Sequence, residues 1–173
     1  MSYSLPAHSQ ANDLLKRIRE DLPSPGLTPN STSGTDWEAK IAAVGDSDLL
    51  GAAASDPQMA EAVRSGLLLR ANLLDESHEI SQSIHTSTGS YWHGIMHRRE
   101  GDYSNAKYWF RQVGTHPAYD ELAEALGESG WDPFDFVDRC SRSHGRSSDE
   151  LERIQETEFD VLLSYCLRKA TGS

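Results

Sequence analysis

Four of the chain's seven histidines fall in one run, SHEISQSIHTSTGSYWHGIMHRREGDYSNAKYWFRQVG, Ser77 to Gly114. Imidazole moves protons near neutral pH and ligates transition metals through either ring nitrogen, so histidine spacing is where chemistry would show first. On a helix advancing about 100° per residue, His78, Gln82, His85, Gly89 and His93 share a sector about 80° wide. Trp92 and Met96 lie in or beside it. His97 follows His93 by one turn, a separation at which two imidazoles can hold one divalent metal.

The spacing does not match a known catalytic pattern. In a zinc peptidase the glutamate sits inside HExxH, whereas HEISQSIH places its second histidine seven residues on, about 10 Å along a straight helix. One ion cannot span that gap, so other helices would have to supply ligands. Three uses stay open: hydrogen bonding within the fold, a pocket for a small or anionic molecule, and a metal site built on His93 and His97. The pocket would be lined by His78, Gln82, His85, Trp92, His93, His97, Arg98 and Arg99. The two arginines suit the negative end of a helix dipole, or they could fork onto a carboxylate or phosphate with Arg111 as a third cation. Asp75, Glu76 and Glu79 could pair with them instead. Glu76 and Glu79 read as a solvated helix face rather than an acid/base pair.

No catalytic residue is assigned. Ser77, Ser81 and Ser83 lack a GxSxG elbow, Cys140 has Arg139 and Arg142 nearby but no partner base, and neither a phosphate-binding glycine loop nor a CxxC framework occurs. No cofactor is predicted and no metal is assigned; His93 and His97 are the pair that would hold a divalent ion if one bound.

The elements that must position these residues are helical throughout, because no stretch keeps a period-two alternation. Ser9–Asp21 carries Leu14, Leu15 and Ile18 on one stripe, and LPSPGLTPNSTSGTD then predicts an extended Pro/Ser/Gly linker. This divides the chain into an N-terminal helix (1–22), a linker (23–35) and a helical domain (36–173). Trp37, Ile41 and Val44 mark a helix capped by Asp36, a further turn or two follows at SDLLGAAA, and Asp56-Pro57 opens a longer helix reaching Leu74. The pattern from LLDESHEISQSI then stays helical through Met96, although HTSTGS has weak propensity. Asp102 or Ser104 caps the next helix, which ends at Gly114. AYDELAEAL, DPFDFVDRCSRS and a last helix from Ser147 or Ser148 complete a single-domain all-α bundle of about six to eight helices.

Within that bundle, Gly94, Ala106 and Phe110, followed by Pro117, sit near the small and aromatic positions of a repeat hairpin. Together with EGDYSNAKYWF, this segment resembles the turn and second helix of a tetratricopeptide or Sel1-type unit over Gly94–Pro117. No second copy follows, which argues against a full solenoid. The wider pattern, LLDESHEISQSI…GSYWHGIMHRREGDYSNAKYWFRQVG…HP, is similar to a group of uncharacterised bacterial and fungal proteins. That resemblance implies an all-helical domain and transfers no catalytic residue.

Composition narrows the partners. With 27 acidic against 16 basic residues, the net charge of −11 repels nucleic acid, and no apolar run is long enough to span a bilayer. MSYSLPAHSQANDLLKRIRE lacks the apolar core of a secretory signal, so a cytoplasmic location with Cys140 and Cys166 as buried thiols is expected. The expected function is a helical binding or protein-interaction module, with self-association or a protein partner. The alternative is a small-molecule binding protein or enzyme with the histidine-rich pocket.

Overall fold

The computed structural model describes residues 9–29 and 36–172, and among these it contains ten helices and no strand. They are α1 (Gln10–Asp21), α2 (Trp37–Ala42), α3 (Asp46–Leu50), α4 (Pro57–Arg70), α5 (Leu74–Ser81), α6 (Ser87–Glu100), α7 (Tyr103–Val113), α8 (Pro117–Leu126), α9 (Pro133–Arg142) and α10 (Asp149–Thr171). Eight are at least eight residues long, and α2 and α3 are single short turns. None is long and apolar enough to cross a membrane.

Helix starts follow local chemistry. Asp56, Thr86, Asp102, Asp132 and Ser148 each accept a backbone N–H of the first turn through the side chain, and Pro57, Pro117 and Pro133 occupy first-turn positions where no N–H is needed. His116 caps α8 in the same way: its Nδ1 accepts from Ala118 N at 3.1 Å, and its Nε2 lies 3.0 Å from Thr88 Oγ1.

Helices α4 and α10 form the centre, with Val63, Leu67, Leu162, Leu163, Cys166 and Leu167 fully buried between the other elements. Small residues let the neighbours approach. Ser65 of α4 and Ser77 of α5 exchange hydrogen bonds to each other's carbonyl oxygens at 3.1 and 2.9 Å, and Gly66 leaves room for the Trp92 ring. The glycine of the expected hairpin works likewise: a Cβ at Gly94 would sit 3.0–3.1 Å from the ring of Phe110, so α6 and α7 pack at close range. Cys140 and Cys166 are buried free thiols, and burial pushes Cys166 up to about 12.

The N-terminal helix docks on this body. Ala11, Leu14, Leu15 and Ile18 join the main core, and Arg19 reaches Glu156 and Asp160 of α10 at 3.1 and 2.6 Å. The described part of the Pro/Ser/Gly stretch is pinned rather than loose. Arg70 donates to the carbonyl oxygens of Leu22 and Pro23, Arg99 to that of Pro25, and Gln155 to that of Gly26. Leu27 is buried in a small second cluster with Phe136, Cys140, Leu151 and Ile154. Residues 30–35 of that stretch, and 1–8 of the N-terminal segment, lie outside the described residues.

Arg98 of α6 meets Glu158 of α10 at 2.6 Å, with both side chains essentially inaccessible. Tyr91 donates to the other carboxylate oxygen at 3.2 Å, and the guanidinium lies over the Phe136 ring.

Candidate metal centre

The single helix expected from LLDESHEISQSI to Met96 is two helices. Residues 82–86 form a turn in which Ile84 N donates to Ser81 O and Thr86 N to Ile84 O. Thr86 then accepts from Gly89 N at 3.2 Å and starts α6 afresh. The physical reason lies in Gly89, which packs directly on Ile84: an added Cβ would lie 2.1 Å from the Ile84 carbonyl oxygen. Weak helix formers in HTSTGS allow the break, and the absent Gly89 side chain lets the chain fold back on itself.

That fold-back removes the distance problem posed by a straight helix. His78 on α5 comes against His93 and His97 on α6, with ring centroids 4.4 Å apart for His78–His93, 5.0 Å for His93–His97 and 5.7 Å for His78–His97. One nitrogen from each ring lies within 4.8 Å of the other two. In a tetrahedral zinc site, nitrogens at about 2.05 Å from the ion stand about 3.3 Å apart, so movements of roughly an ångström would close the triad around an ion.

Neighbours hold the rings in a ligand-ready state. Glu100 Oε2 lies 2.9 Å from His97 Nδ1, which orients the ring as in carboxylate–histidine–metal arrangements, and an ion on Nε2 would displace the Asn105 amide from it. Asn105 Nδ2 sits 3.2 and 3.3 Å from the two nitrogens of His97. Trp109 of α7 stacks on His93 at 3.8 Å and 21°. His93 is buried, and its Nδ1 has no hydrogen-bond partner among the described residues. Burial, with His78 and His97 adding, lowers His93 to about 3, so the ring is neutral with a lone pair available.

The remaining residues proposed for the pocket lie elsewhere. Gln82 and His85 are exposed in the turn, because the break takes them off the helical sector they would otherwise share. Trp92 points into the core against Gly66 and Phe159. Arg98 meets Glu158 through Nη2, and Arg99 donates to the Leu69 and Pro25 carbonyl oxygens and Asn72 Oδ1; at 1% and 3% exposed, both forks are closed to a dissolved anion by burial. Arg111 is exposed on α7. The metal pair read from sequence thus gains His78 as a third member, while the anion pocket loses its cations. Asn105 and the stacking role of Trp109 were missed; Glu100, three residues after His97, was the one sequence signal for the outer shell.

Gly89→Ala tests the local geometry. It is expected to cost about 1–3 kcal/mol through overpacking at the turn and to weaken any ion bound by the triad, because α5 must move away from α6. Urea denaturation and metal titration of the same variant check both effects, and wild-type values for both would contradict the fold-back as described.

In comparisons with known protein families, curated proteins and solved structures, nothing matches this chain.

Proposed function

We propose that this protein is a helical metal-binding module that holds one divalent transition ion of the zinc type on His78, His93 and His97. The observation that carries the reading is the convergence of three imidazoles, one nitrogen of each within 4.8 Å of the other two, on His93, whose buried Nδ1 has no hydrogen-bond partner among the described residues. A buried polar atom without a partner costs roughly 1–3 kcal/mol, and a metal ligand bond would remove that cost. Three imidazole nitrogens suit zinc, copper or nickel better than magnesium or calcium, which take oxygen. Three protein ligands leave a fourth position for water or for a group from a bound molecule. The α6–α7 pair, with Phe110 seated on Gly94, supports reading this segment as a Sel1-like interaction hairpin built around the ion.

Titration of the full chain with Zn²⁺, and with Co²⁺ as a spectroscopic probe, tests the reading. One ion per chain is expected, with the visible absorption of tetrahedral cobalt and a change in Trp109 emission. His78→Ala, His93→Ala and His97→Ala should each weaken binding at least tenfold, Glu100→Gln about 10–100-fold, and His85→Ala should leave it unchanged. Absence of stoichiometric binding, or binding indifferent to the three triad substitutions, would reject it.

A further inference from the structure

The face of α5 that does not carry His78 borders a groove of about 420 Å³ between α2, α4 and α5. Its floor is apolar, made by the half-buried Ile80 with the buried Ile41 and Leu68 beneath it. Its rim is acidic, with Glu38 on α2 and Glu76 and Glu79 on successive turns of α5. The cation at the groove is already committed. Arg64 donates to the Ile41 and Val44 carbonyl oxygens at 2.8 and 2.7 Å, meets Asp46 at 2.6 Å and lies 3.6 Å from Glu61. Glu38, Glu76 and Glu79 have no ion pair among the described residues, so three carboxylates surround an apolar trough without compensation.

We infer that this groove docks a basic amphipathic helix of a protein partner, with apolar side chains on the floor and Lys or Arg against the rim. The argument is charge complementarity around an apolar floor. The carboxylates stand on two helices around an apolar trough, a pattern complemented by a helix that carries apolar anchors at i, i+3, i+4 and i+7 with cations flanking them. The acidic field of the whole chain speeds the encounter, and the groove supplies the specificity. The inference does not depend on an ion at the triad, because Glu76, Glu79 and Ile80 do not belong to the triad.

The probe is a fluorescein-labelled, amidated 16-residue helix with leucines at i, i+3, i+4 and i+7 and lysines flanking them, followed by anisotropy with the full chain. Saturable binding is expected. The triple variant Glu38→Lys, Glu76→Lys, Glu79→Lys should weaken it at least twentyfold, and the milder Glu38→Gln, Glu76→Gln, Glu79→Gln set at least fivefold with the circular dichroism of the wild type. Reversing three exposed carboxylates elsewhere, Asp13→Lys, Glu124→Lys and Glu128→Lys, should change binding less than threefold. A peptide with serines in place of the leucines should bind at least tenfold more weakly. Equal weakening by the distant reversals would mean that bulk charge alone attracts the peptide and would overturn the proposal. Equal binding of the serine peptide, or no saturation, would overturn it as well.

Discussion

Glu158→Ala is expected to lower the unfolding free energy by about 3–5 kcal/mol, because it leaves the Arg98 guanidinium charged and without its carboxylate in the core. Arg98 and Glu158 are 1% and 0% exposed, and they meet at 2.6 Å. No solvent can replace the lost partner. Tyr91, which donates to the same carboxylate, also loses its acceptor. For a domain of this size each kcal/mol shifts Tm by about 2–4 °C, so a fall of roughly 6–20 °C should be visible in a thermal scan. Glu158→Gln retains the shape and one acceptor oxygen, so it should cost less. Replacing both partners with apolar residues, Arg98→Met with Glu158→Leu, should recover most of the loss, since a buried pair repays its own desolvation poorly. A cost under about 1 kcal/mol for Glu158→Ala would mean that water reaches Arg98, contrary to the burial seen here.

Acidification should produce the second large effect. His116 is 4% exposed, and burial lowers it to about 4; its Nδ1 accepts the Ala118 N–H, so a proton there would also remove the α8 cap. His93 is lowered to about 3 for the reasons given above. Both rings take up protons more readily in the unfolded chain, whose histidines titrate near 6.5. The stability they lend is therefore complete above that value and is lost as pH falls from about 6.5 toward the folded values of about 4 and 3. By about pH 4.5 each should have removed roughly 2–3 kcal/mol from the metal-free protein. Urea midpoints measured between neutral and acidic pH check this, with His116→Gln expected to flatten the profile by about half. An unchanged profile in that variant would assign the acid sensitivity to other groups.

The two effects come from residues that the sequence read differently. Arg98 was legible as a cation in the last turn of a helix and as a fork for an anion, but its partner lies sixty residues away on α10. His116, which falls between the helix ending at Gly114 and the AYDELAEAL helix and carries no local sign of a role, is a buried helix cap. Long-range pairing of this kind leaves no local spacing to detect.

The all-α class, the start sites of α4, α7, α9 and α10, the close approach of Gly94 to α7 and the buried thiols followed from sequence, because caps, proline positions and helical periodicity act within a few residues. The same local rules identified His93 and His97 as one turn apart. Tertiary structure decided the rest. Whether HTSTGS continued a helix or broke it depended on Gly89 packing against Ile84, and that choice determined whether His78 stood two turns away from any partner or 4.4 Å from the ring of His93. Weak propensity permits both outcomes, and only the packing of α5 on α4 and α6, through Ser65, Ser77 and the folded-back turn, selects the one that gathers three imidazoles.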